Sequence, residues 1–469
     1  MFFRESSKKQ LVFFFSQKSW RNAYFINEVV NMEDLHGRKI ILEETERSIQ
    51  TKLVYLPTML ERSPLTIQCQ RCGEVVSKKE NRLATNVYYC HACIQLGRVT
   101  SCQKFCHLPE RLNSPRTVFF EWSGQLTKGQ QAISVELCET AKARENRLVW
   151  AVTGAGKTEM LFAVLHQTLQ EGGRIALASP RVDVCLELFP RIQAVFPHEA
   201  IALLHGNSQE PYRYTKLVIC TTHQLLKFHQ AFDLLIVDEV DSFPFVNNEH
   251  LYYGVRNARK KRSSLVYLTA TPTKELRKLL QQKKLAASIL PARYHRRPLP
   301  VPRRFWVQSW QRLSSKNIKI IAHHLKRLLV RNSVLLFCPS ISLIHQLHAL
   351  IAERFSDKEV VAVYGSDELR LEKVQAMRQQ KTDILITTTI LERGVTFDAV
   401  SVIVYGANHR VFTSSTLVQI AGRVDRRQEF NYGEVLFLHD GETRDMKEAI
   451  RQIKQMNRLA SKRGMLDGL

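Results

Sequence analysis

The strongest constraint on this chain is a lysine-bearing glycine loop set between a short apolar run and an amphipathic stretch. LVWAVTGAGKTEMLFAVLHQTL reads as a strand over Leu148–Val152, a loop, and a helix that stops at Gly172-Gly173. A loop in that context presents backbone N–H groups at a helix N-terminus, where they cradle phosphate. Thr153, Gly154, Ala155 and Gly156 form the cradle; Lys157 is set to reach the β/γ oxygens of ATP and Thr158 to ligate Mg²⁺. Ala151 stands where the strict pattern has glycine. At a distance of 81 residues beyond Lys157, FDLLIVDEVDSF ends an apolar strand (Leu234–Val237) in carboxylates. Asp238 is expected to hold Mg²⁺, Glu239 to polarise the attacking water and Asp241 to couple the site to its surroundings. A helix cap explains either segment alone but not the two in this order.

LVYLTATPT supplies another strand, ending in Thr269-Ala270-Thr271, placed to sense the γ-phosphate. Upstream, in WSGQLTKGQQAI, Gln130 is spaced to read an adenine edge; Gln131 is its rival, and a solvent-facing glutamine at a helix start is the plain alternative. Beyond a Pro/Arg-rich connector (Pro291–Trp306), SVLLFCPS, EVVAVYGS, DILITTT and VSVIVYG form a second series of parallel-sheet strands without a phosphate loop. This half carries QIAGRVDRR, with Gln419, Gly422, Arg423 and Arg426, after a loop holding Thr388, Arg393, Gly394 and Asp398. Arg423 and Arg426 suit arginine fingers that stabilise transition-state charge. Gln419 and Gly394 are the second half's candidates for nucleotide contact.

Cys69, Cys72, Cys90 and Cys93 form two CxxC pairs separated by 17 residues, a spacing that fits a four-thiolate Zn²⁺ site. Gly73 suits the left-handed turn of such a knuckle. Cys102, Cys106 and His107 are a second candidate set, without knuckle spacing. A closed thiolate site offers no open position for catalysis, so its role is folding or nucleic-acid contact. Cys138, Cys185, Cys220 and Cys338 stand singly among apolar neighbours and read as reduced core residues, which points to the cytoplasm.

The 469 residues carry 68 Lys+Arg against 44 Asp+Glu, a net charge of +24 that favours a polyanionic partner, nucleic acid first. No run approaches the roughly 18 apolar residues of a spanning helix. Residues 1–31 hold six of the 23 phenylalanines and suit neither a signal peptide nor the rest of the chain. They read either as an amphipathic surface anchor or as untranslated sequence ahead of a native start at Met32; without them the net charge is still +21.

The ordered series GAGKT, SPR (Ser179–Arg181), TTHQLL (Thr221–Leu226), DEVD, TAT, LERG and QIAGRVDR resembles superfamily 2 DNA helicases and translocases. With a four-cysteine module ahead of it, LGRVTSC after the second CxxC and the RYH…PLP connector, the chain is similar to the ComFA family of competence ATPases from Gram-positive bacteria. PriA-type helicases are more distant, since their cysteines interrupt the second motor lobe. The resemblance implies an α/β fold of two RecA-like parallel-sheet lobes preceded by a small four-cysteine zinc module. Its segments are 1–64, then 65–108 (zinc), 109–292 (lobe 1) and 293–469 (lobe 2). It further implies ATP-driven movement on single-stranded DNA during uptake of transforming DNA, at the inner face of the cell membrane. The partners so implied are ComFC, the ComEC channel and DprA, with homo-oligomerisation open. Arg181, Thr222 and Thr388 are candidate phosphate contacts. The rival readings are a PriA-like helicase in replication or repair, an RNA helicase, and a nucleic-acid scaffold switched by ATP.

Overall fold

A computed structural model describes residues 31–42, 53–206, 208, 210–393, 397–425 and 433–467. The phenylalanine-rich stretch that precedes them lies outside the described residues. Met32 opens a short 3-10 turn, Met32–Leu35, whose first turn is capped by the Asn31 side chain.

The N-terminal region contains short strands: β1 (Ile40–Leu42), β2 (Val54–Pro57), β3 (Met59–Ser63), β4 (Thr66–Cys69), β5 (Val75–Ser77), β6 (Arg82–Ala84), β7 (Val87–Tyr88) and β8 (Lys104–His107). They pair antiparallel in the orders β1-β8-β2, β3-β4-β5 and β6-β7. Sheets this small bury too little apolar surface to stand unaided, so cross-linking has to come from elsewhere.

Next come β9 (Asn146–Ala151), β10 (Ile175–Ser179), β11 (Ile201–Leu204), β12 (Leu217–Thr221), β13 (Phe232–Asp238), β14 (Arg259–Thr269) and β15 (Ala286–Leu290). They form one sheet in the order β11-β12-β10-β13-β14-β9-β15, and β11, β12, β10 and β13 pair parallel. Every residue of β10 and β12 is buried, as a sheet covered on both faces requires. The helices of this part are α1 (Lys128–Ala143), α2 (Lys157–Gln170), α3 (Val182–Val195), α4 (Glu249–Ala258) and α5 (Lys274–Gln281).

The second sheet holds β16 (Arg303–Trp306), β17 (Ser333–Phe337), β18 (Val360–Val363), β19 (Ile384–Thr387), β20 (Val400–Tyr405) and β21 (Val435–His439). It is parallel throughout, in the order β16-β21-β20-β17-β19-β18. Its helices are α6 (Ser315–Leu328), α7 (Ile341–Arg354), α8 (Arg370–Arg378), α9 (Ser414–Ala421) and α10 (Arg444–Lys462). α10 starts at Arg444 because the Thr443 hydroxyl accepts the Met446 N–H and caps it there. Two RecA-like parallel-sheet lobes are thus present, and no helix among the described residues is long and apolar enough to cross a membrane.

By packing, the described residues group into two compact units. One draws on the described residues up to Gly124, with Ser134–Arg147 and Leu161–Tyr267, the other on Gln125–Ile133, Leu148–Met160 and the described residues from Leu268 onward. The phosphate loop therefore packs with the segments that follow the TAT strand.

In the first unit Arg174, just before β10, is fully buried. Its guanidinium donates to Glu110 Oε2 (2.5 Å), the His36 carbonyl (2.8 Å), the Thr215 carbonyl (3.0 Å) and the Tyr212 hydroxyl. Removing one partner of a buried ion pair leaves an uncompensated charge, at a cost of about 3–5 kcal/mol. Glu110→Gln is therefore expected to lower stability by about 3 kcal/mol, read as a drop in the urea midpoint by circular dichroism.

Candidate nucleotide and metal sites

The four cysteines of the two CxxC pairs converge. Their sulfurs lie within 4.8 Å of one another, all buried, with Cys69 to Cys93 at 3.8 Å and Cys72 to Cys90 at 3.5 Å. A tetrahedron of thiolates at 2.3 Å from Zn²⁺ has edges of about 3.8 Å, so the donor set fits that ion. Gly73 completes the first knuckle at φ +82°, and its N–H donates to the Cys69 carbonyl at 2.9 Å. Arg71 reaches the second knuckle, donating to the carbonyls of Leu96 (3.1 Å) and Gly97 (2.7 Å).

Lys39 lies close by and donates to the Gln70 carbonyl at 3.1 Å. Burial, followed by the charge of Arg71, pulls its ammonium down to about 8, while the cysteine sulfurs pull the other way. Two cations beside four thiolates offset the surplus negative charge that such a set carries around a divalent ion. The second candidate set does not join the cluster: Cys102 is exposed, and the buried His107 ring meets His229 edge to face at 5.1 Å. The first knuckle also packs on α4, the helix after the DEVD box. A Cβ on Gly73 would fall 2.5 Å from the Tyr253 ring, and Glu74 pairs with His250.

The phosphate loop follows β9, with Gly154 at φ +75° and Gly156 at φ +71°, conformations that only glycine adopts freely. Gln130 is buried against this loop and exposed Gln131 is not. The Gln130 amide nitrogen donates to the Ala155 carbonyl (2.8 Å), and its oxygen accepts the Thr127 N–H (2.8 Å). Thr153 and Thr158 are also buried, and Lys157 is half-buried at the first position of α2.

Asp238 ends β13, and its Oδ1 accepts the backbone N–H of Glu239 at 2.8 Å. Glu239 sits at φ +55°, in the left-handed region that costs a non-glycine residue about 1–3 kcal/mol. Asp241 is buried two residues on. Thr222 is also fully buried, so its hydroxyl is withdrawn from any strand crossing the surface. Arg181 and Thr388 remain partly exposed, Arg181 beside Asp183 at 3.3 Å. Gly394 and Arg426 lie outside the described residues.

Within the second unit, loop, TAT strand and QxxGR segment are wired together by residues the motif reading passed over. The Ala270 carbonyl accepts Trp150 Nε1 (3.0 Å) and Gln452 Nε2 (2.9 Å). Thr271 Oγ1 meets Ser415 Oγ at 2.7 Å, and Ser415 accepts from Arg393 at 3.0 Å. Arg293, buried in the connector, donates to the carbonyls of Val424 (2.8 Å) and Asp425 (2.6 Å), while its side chain packs over Gly154. The Arg423 guanidinium is buried and donates to the Glu392 carbonyl at 3.1 Å; Gln419 is buried one helical turn before it. Gly422 approaches Thr153 so closely that a Cβ there would fall 2.0 Å from its hydroxyl.

Fold and site together define an ATP-hydrolysing enzyme of helicase superfamily 2. Residues 127–279 match the DEAD/DEAH box helicase family and 316–428 the helicase conserved C-terminal domain. Residues 25–107 match the competence protein ComFA N-terminal domain. Competence protein ComFA of Streptococcus pneumoniae is 44% identical over 422 residues, 89% of this chain and 96% of that one. Its Bacillus subtilis counterpart is 41% identical over 406 residues, 84% and 86% of the two chains. The chain belongs to the ComFA family. Among solved structures, S. cerevisiae Dbp5 bound to RNA and ADP BeF3 shares the fold, with a TM-score of 0.52 at 15% identity over 71% of this chain and 91% of that one.

Two outcomes test these sites. Cys72→Ser is expected to lower bound zinc from about one equivalent per chain and to open residues 53–107 to protease, read by elemental analysis and limited proteolysis. Gly422→Ala, forcing Thr153 aside, is expected to cut ATP turnover by about a hundredfold while thermal unfolding stays cooperative.

Proposed function

We propose that this chain is an ATP-dependent single-stranded DNA translocase that drives uptake of transforming DNA. The observation that carries the reading is the hydrogen-bonded path in the second unit, from Trp150 beside the phosphate loop through Ala270 to Gln452, with Arg293 spanning Gly154 and Val424. A change of nucleotide at the loop then moves groups far beyond it, which a motor needs and a passive binding protein does not.

In this reading Lys157 and Thr158 hold the β/γ-phosphates and Mg²⁺, Asp238 binds the metal and Glu239 polarises the water. Arg423 and Arg426 stabilise the charge that develops on the transferred phosphoryl group, and Gln130, Gln419 and Gly394 border the nucleotide. Residues 109–292 and 293–469 serve as the two motor lobes, and Cys69, Cys72, Cys90 and Cys93 hold a structural Zn²⁺. Phosphate contacts dominate DNA binding, which is therefore insensitive to base sequence and sensitive to salt. The two relatives are named competence proteins; in this reading the enzyme works in the cytoplasm at the inner face of the membrane, with ComFC, the ComEC channel and DprA.

ATP hydrolysis by the full chain with ssDNA, dsDNA, ssRNA or no nucleic acid tests the proposal. Stimulation of at least about tenfold by ssDNA is expected, lost in Lys157→Ala, while Glu239→Gln still binds ATP and ssDNA but turns over about a hundredfold more slowly. Turnover indifferent to DNA would replace the motor with an ATP-switched scaffold, and stimulation by RNA alone would replace the substrate. Robust unwinding of blunt duplex would replace translocation with helicase action of the PriA kind.

A further inference from the structure

A basic groove of about 500 Å³ lies on the second unit, lined by Arg304 of β16 and by Lys447, Arg451, Lys454 and Arg458 of α10, with no carboxylate in its lining. The four α10 cations follow one another at intervals of four, three and four residues. At 3.6 residues per turn they fall within about 60° of arc, spread over about 16 Å of helix. The opposite side of α10 is committed to the core through Met446, Ala449, Ile453, Met456 and Ala460. Pairing does not exhaust the charge. Glu442 meets Arg304 (2.5 Å) and Lys447 (3.5 Å), and Glu448 is shared between Arg451 and Arg277. Lys454 and Arg458 have no carboxylate partner among the described residues.

Edge strand β16 adds an aromatic. Trp306 is two residues from Arg304, on the same face of the strand, and is 63% exposed, braced edge to face by His439 at 6.0 Å. A row of cations with an exposed indole beside it is the chemistry of a single-strand binding groove: the charges track phosphates and the ring stacks on a base of any identity. An anionic bilayer would also meet the charge, but the apolar face of α10 is buried and cannot enter a membrane.

We propose that this groove is a second single-stranded DNA site, separated along the second sheet from the β19 end that carries Thr388. It rests on the reading of ssDNA as ligand. A strand held here as well as at the motor loops stays attached when the motor loops release it.

The test is a fluorescence-anisotropy titration of dT20 between 50 and 200 mM salt, comparing the wild-type chain with Lys447→Gln/Arg451→Gln/Lys454→Gln/Arg458→Gln. Loss of four phosphate contacts is expected to reduce the slope of log affinity against log salt by about 3, with DNA-free ATP turnover unchanged. Should the fourfold variant misfold, Lys454→Gln alone is expected to lower the slope by about 0.7. Bromodeoxyuridine-substituted dT20 is expected to crosslink to Trp306. An unchanged slope with no crosslink at Trp306 would overturn the proposal. So would variants that keep dT20 binding but lose binding to phosphatidylglycerol vesicles, which would assign the groove to membrane. If the slope falls while ATP turnover ignores ssDNA in every variant, the groove stands and the motor reading fails.

Discussion

A guanidinium inside a protein is tolerable only if every donor finds an acceptor and its charge finds a counter-charge. Arg174 meets both demands by drawing on pieces of chain that are remote in sequence: His36 from the N-terminal segment, Glu110 from the stretch after the cysteine module, and Tyr212 and Thr215 from the approach to β12. Its backbone N–H adds Asp233 at the head of β13. This one side chain thus secures the N-terminal region to the start of the parallel sheet. The first knuckle is secured separately on α4 through Tyr253 and His250, so the cysteine module has two anchors. Small sheets that could not fold alone are thereby held within the first unit.

The parts legible in the sequence are those whose physics is local. The phosphate loop, the strand that ends in Asp238 and the two CxxC pairs each declare themselves within about a dozen residues, because backbone geometry and donor spacing are short-range properties. Continuous apolar runs marked strands of both sheets for the same reason. What stayed hidden is long-range. Gln452 and Ala270 are 182 residues apart, and Arg293 and Val424 are 131 apart, so no window along the chain shows either pair. Arg174 and Arg293 were further masked by composition: among 68 basic residues, nothing in the sequence marks the few that are buried. Thr222 shows the opposite error, since its motif suggests a surface contact and its packing removes it from the surface.

The carbonyl of Ala270 illustrates how such a protein joins events at separate places. One oxygen accepts an indole from the strand before the phosphate loop and an amide from α10. A carbonyl has two lone pairs, and both are spoken for, so neither donor can shift without cost to the other. Thr271 next to it continues the path through Ser415 to Arg393, in the loop that precedes the proposed fingers.

Glu239 sits at φ +55°, a conformation that glycine adopts freely and glutamate does not. Selection for stability alone would therefore remove this carboxylate, since Gly at this position relaxes the backbone by about 1 kcal/mol. A drift towards glycine would leave a sturdier protein without the carboxylate proposed to polarise the attacking water, so in that reading Glu239 sets function against robustness at a single residue. A stability screen with no activity readout would favour inert sequences at this position.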